Sequence, residues 1–86
     1  MDNKTELMII TMEECGELTQ ACSKVLRTNF SKETIEDLTK EVADVMCMIE
    51  LLKEHLYIKN SDIVQGIQNK RDKLKIWSNL INRNNS

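Results

Sequence analysis

Residues 5–27 read TELMIITMEECGELTQACSKVLR, and this stretch decides the fold class. With about 100° of turn per residue and Glu14 as origin, Leu7, Ile10, Leu18, Ala21 and Val25 all fall within roughly 40° of it. That is the apolar face of one long helix, and no proline interrupts it. Thr5 or Asn3 is placed to cap its start. Gly16 lies on the far side, where a neighbour could approach closely. Working outward, Thr28–Ser31 breaks the period, and Ser31 is placed to cap a second helix over residues 32–56. There Leu38, Val42, Val45, Met48, Ile49, Leu52 and Leu56 share a face. Tyr57–Asn60 forms a short connection. Asn60 or Ser61 caps a third helix, with Asp62 in its first turn, where the helix dipole favours an acid. This helix is expected to run to Ile81, with Ile63, Ile67, Leu74, Trp77 and Ile81 as its stripe. The polar residues 82–86 are expected to fray.

Composition supports the same class. Proline is absent, glycine occurs twice and aromatics are 3%, so strand and turn formers are too scarce for a β-rich chain. The expectation is all-α, with three helices in one domain over residues 1–86 and no repeat or linker. Two helices of about 35 Å bury little core in a chain this short. Short loops and long amphipathic faces favour a helical bundle completed by oligomerisation, as a homo-dimer or homo-tetramer.

The longest uncharged apolar run is Val45–Ile49, too short to span a membrane. No basic and apolar leader opens the chain, so a cytoplasmic location is expected. The net charge of -2 argues against a general nucleic-acid binder. Residues 1–54 carry 12 acids and 6 bases, whereas residues 55–86 carry 2 acids and 6 bases. An acidic body and a basic final segment suggest a divalent cation in one place and an anion in the other. Solvated helix faces would produce the same imbalance. Cys15, Cys22 and Cys47 form neither an even set nor a CxxC pair, and His55 is the only histidine. A disulfide framework and a structural zinc are therefore disfavoured, and the cysteines are expected to act as small core hydrophobes.

The anomaly lies in the placement of the acids. Glu14 sits at the centre of the first apolar face, and Glu17 about 60° to one side. Glu41 and Asp44 repeat the i, i+3 spacing at the edge of the second helix's apolar face. A single such pair is common and usually faces solvent. Two pairs turned toward apolar faces of consecutive helices can direct four carboxylates at one point. Four anions held together repel and need cations. Oxygen ligands without His or Cys favour magnesium, with manganese possible. A di-iron bundle would require Glu-x-x-His motifs, which His55 cannot supply. Lys70 falls between Ile67 and Leu74 on the third helix's stripe, with Lys73 about 60° away. It is placed either to hold phosphate oxygens or to lay its stem along the core. Trp77 reads as core.

Glu13-Glu14-Cys15-Gly16-Glu17-Leu18, then Lys24, then Glu41-Val42-Ala43-Asp44-Val45 resembles the MazG-like all-α nucleoside triphosphate pyrophosphohydrolases. The likeness covers roughly residues 5–75. It implies magnesium-dependent cleavage of a nucleoside triphosphate between the α and β phosphates, giving monophosphate and pyrophosphate. It further implies that Glu14, Glu17, Glu41 and Asp44 ligate the metal, with Glu13 in a supporting role. Lys24, Lys70 and Lys73 would contact the nucleotide, Lys73 as a substitute for Lys70. Asn69–Lys75 matches the family's third-helix Lys, Asn and Arg pattern only loosely. Two readings from other classes stay open: a non-enzymatic oligomerisation module, in which the acids pair with Lys70 and Lys73 across an interface, and a regulatory nucleotide-binding protein.

Overall fold

The structure, a computed structural model, describes residues 1–81; the expected fraying of residues 82–86 lies outside them. Three helices follow in order: α1 (Asn3–Arg27), α2 (Lys32–Leu56) and α3 (Asn60–Trp77). The described residues contain no strand, so the chain is all-α. Among them no helix is long and apolar enough to cross a membrane.

The helix ends are set by local chemistry. Asp2, rather than Asn3 or Thr5, caps α1: its carboxylate accepts the Thr5 backbone N–H at 2.7 Å. The helix consequently starts two residues earlier than expected. At the far end Phe30 N–H donates to Val25 O at 2.8 Å, and Asn29 N–H to Leu26 O at 3.2 Å. This double bond pattern is a Schellman motif, with Asn29 left-handed at φ 53°. Asparagine tolerates that conformation better than most residues. Ser31 caps α2 as its sequence position indicated, and its Oγ accepts from Thr34 N–H at 3.3 Å. Tyr57 closes α2 in a left-handed conformation at φ 55°. Neither Asn60 nor Ser61 caps α3. Lys59 occupies that position without a side-chain bond, and Asn60 Oδ1 instead accepts from Lys53 Nζ at 2.9 Å. Nor does α3 reach Ile81. Ser78 turns extended, and its Oγ accepts the Leu80 N–H at 3.0 Å, a local turn that competes with continued helix.

The Schellman turn folds α2 back against α1 as an antiparallel hairpin, and nearly all close helix–helix packing lies in this pair. The buried side chains among the described residues are Leu7, Ala21 and Val25 from α1 and Met48 from α2. Those α1 residues are members of the face centred on Glu14. The third helix packs little against the hairpin and buries no residue. Trp77 is 83% exposed and Ile67 54% exposed within this chain, so they are not core as expected. The third helix does not fold back over the α1–α2 seam, so its stripe finds little to pack on within the chain. The extents of 45 × 32 × 17 Å and the 15.7 Å radius of gyration show the same openness, since a compact chain of 86 residues has about 12 Å. The cysteines also depart from expectation. Cys15, Cys22 and Cys47 are all exposed, because none of them turns into the α1–α2 seam. Outside its own helix backbone and chain neighbours, nothing among the described residues comes within 4 Å of a Cβ built on Gly16.

Ser31 joins the two helices by capping α2 and by donating its Oγ–H to Thr28 Oγ1, at the C-cap of α1, at 3.2 Å. Ser31→Ala is expected to lower stability by about 1 kcal/mol, measured by urea unfolding.

Candidate metal centre

The seam between α1 and α2 carries the acids. Glu14 sits two turns from both Leu7 and Ala21, which are buried, so the hairpin's packing draws its carboxylate inward. Glu41 occupies the matching position on α2. Both are half-buried, while Glu17 and Asp44, one turn further along their helices, are exposed. One carboxylate oxygen from each of Glu14, Glu17, Glu41 and Asp44 lies within 4.8 Å of all the others. All four expected ligand residues are therefore brought together. Glu13 is exposed and stands outside the cluster.

The electrostatics are those of an anionic site to which neither nearby lysine, Lys24 or Lys40, is ion-paired. Glu14 Oε2 and Glu41 Oε2 are enclosed and have no hydrogen-bond partner. Removal from water raises the pKa of both carboxyls above the ordinary value of 4.5, the largest cause in each case. The neighbouring charges of Glu17 and Asp44 push both further up, and a hydrogen bond with Glu17 adds to each. Unpartnered, enclosed carboxylate oxygens are costly. An all-oxygen donor set with two such atoms fits a hard divalent cation.

Beside the cluster, toward the α1–α2 turn, is a cavity of about 310 Å³. Glu17 and Glu41 form its border with the acids, and Ala21 is the small residue that leaves it room. Lys24 lines it, as does Lys40 from α2. The other polar groups on its wall are Gln20, Thr34 and Asp37. Sequence reading singled out Lys24 but missed Lys40. The available signal was its place next to Glu41, about 100° around α2, on the side to which Asp44 also turns. Lys70 and Lys73 are exposed on α3 and do not line this cavity. His55 is half-buried in the last turn of α2.

The raised carboxyls have a definite sign in stability. A folded state that binds protons more tightly than the unfolded chain gains stability at low pH and loses it as pH rises through the raised values. For Glu14 and Glu41 the loss begins above 4.5 and continues upward through those values. In metal-free buffer at about pH 8, Glu41→Gln is therefore expected to melt at a higher temperature than the unsubstituted protein. Millimolar magnesium should reverse the order by stabilising only the intact cluster. Thermal melts with and without chelator measure both.

No curated protein and no solved structure matches the chain significantly. A family model does, and it spans residues 2–75, from the α1 cap through the cluster and most of α3. The match covers most of the chain, and the chain belongs to the MazG nucleotide pyrophosphohydrolase domain family.

Proposed function

We propose that the protein hydrolyses ribo- or deoxyribonucleoside triphosphates to monophosphate and pyrophosphate, with magnesium held by Glu14, Glu17, Glu41 and Asp44. The observation that carries this reading is the pair of enclosed, unpartnered oxygens, Glu14 Oε2 and Glu41 Oε2, inside a four-carboxylate cluster. Manganese would suit the same donors. Bound there, the metal supplies positive charge that neutralises the phosphate oxygens, without which the acids would repel the substrate. Family membership supports cleavage at the α–β linkage. Water would add to the α-phosphorus as the Pα–O bond to the β-phosphate breaks. A glutamate at the cluster edge would take the proton, with Glu13 supporting from its exposed position. Lys24, on the adjacent cavity wall, would touch the nucleotide.

The apolar surface of α3 supports assembly as a homo-dimer or homo-tetramer. Trp77, Ile67 and Val64 are exposed large apolar groups on a helix that buries none of its own residues. In such an assembly Lys70, with Lys73 as substitute, would reach the phosphates from a neighbouring copy. A nucleotide substrate is consistent with a cytoplasmic location.

Product analysis over a panel of nucleoside triphosphates is the direct test. Monophosphate and pyrophosphate should appear only with magnesium, and Glu41→Gln or Asp44→Asn should cost at least about a hundredfold in turnover. Diphosphate and orthophosphate would place the cleavage elsewhere. No turnover, together with no magnesium stabilisation, would favour an oligomerisation module. Light scattering at micromolar concentration should show more than one copy per particle; a monomer would remove the assembly.

A further inference from the structure

The α1–α2 groove has chemically different ends. Toward the turn it is lined by Lys24 and Lys40. Toward the start of α1 a second cavity, of about 240 Å³, has an apolar wall of Leu7, Ile10, Met48 and Leu51, with Asn3, Glu6 and His55 at its polar edge. Both open on one face of the hairpin. At about 100° per residue, Ile10, Glu17 and Lys24 lie roughly 40–80° to one side of Glu14, and Lys40, Asp44 and Leu51 roughly 60–100° to one side of Glu41. In an antiparallel pair those directions coincide. The acids therefore occupy the middle of one groove, between a cationic and an apolar end.

Helical side chains lean toward the N-terminus of their own helix. Lys24 on α1 leans back toward the cluster, and Lys40 on the antiparallel α2 leans toward the turn. The two thus converge over the same cavity. Asp37 lines it too, yet no ion pair within the chain joins it to either lysine, and both lysines are exposed. Two unpaired ammonium groups beside a metal-binding cluster form a receptor for the most anionic part of a substrate.

We infer that the triphosphate lies along this groove with its terminal phosphates between Lys24 and Lys40 and its nucleoside toward Leu7, Ile10, Met48 and Leu51. Lys40 is then a substrate-binding residue that holds the terminal phosphates equally in ground and transition state. This rests on the pyrophosphohydrolase reading for the identity of the substrate, but the anion site can be tested without turnover.

The probe is inorganic tripolyphosphate with magnesium, titrated calorimetrically against the unsubstituted protein, Lys40→Ala and Lys40→Arg. Lys40→Ala is expected to bind about tenfold more weakly, and Lys40→Arg to recover most of the loss. With active enzyme, Lys40→Ala should raise KM by a similar factor, change kcat little and leave the ranking of bases unaltered. Its melting temperature should match the unsubstituted protein, because the side chain is exposed. Unchanged tripolyphosphate affinity in Lys40→Ala would overturn the inference, as would an altered base ranking, which would place the nucleoside at the lysine end. If no nucleotide is hydrolysed, the pyrophosphohydrolase reading fails, but the tripolyphosphate titration still decides whether Lys40 binds phosphate.

Discussion

Like-charge repulsion among Glu14, Glu17, Glu41 and Asp44 is the constraint on which the rest of this structure depends. The hairpin forms because apolar side chains on α1 and α2 leave water, and the same rotation that buries Leu7, Ala21 and Val25 carries Glu14 into the seam. Packing and carboxylate solvation therefore conflict at one place. Protons relieve the conflict at low pH, and a divalent cation can relieve it at neutral pH. A core built from Leu or Met at these positions would be more stable but could not bind metal. The retained acids are a cost in stability that the proposed activity requires.

The surroundings of the cluster extend this logic. Turn chemistry at Thr28–Ser31 holds the helices antiparallel, which sets the two i, i+3 acid pairs at the same height. The same antiparallel order makes Lys24 and Lys40 lean toward each other although they sit on different helices. A groove with acids at its middle, ammonium groups at one end and apolar residues at the other matches a nucleoside triphosphate in its order of charge. The third helix stands apart from this unit, with its apolar stripe on the outside. The assembly proposed above would cover that stripe.

Much of the fold was legible because helical periodicity and capping are local properties. The Ser31 cap and the break at Thr28–Ser31 follow from neighbouring residues alone. The four site acids could be found because carboxylates on an apolar face contradict hydrophobic patterning. The failures have a common origin in relations between elements. Trp77 and Ile67 form an apolar stripe, but a stripe does not specify what covers it, and here α3 does not fold over the hairpin. The cysteines read as core on average tendency, whereas their angles around α1 and α2 leave them outside the seam. The end of α3 was misplaced because the Ser78 side chain stabilises a turn where apolar periodicity continues to Ile81.

The sequence by itself determined three helices, the turn that separates the first two, and which four acids oppose the apolar pattern. These follow from backbone periodicity and side-chain polarity, which act over a few residues. Only the tertiary structure decided that the four carboxylate oxygens meet within 4.8 Å, that Lys40 shares a cavity with Lys24, and that α3 stands open. Those are distances between groups far apart in the chain. They are set by the rotation and height at which two helices pack, and no local pattern encodes either quantity.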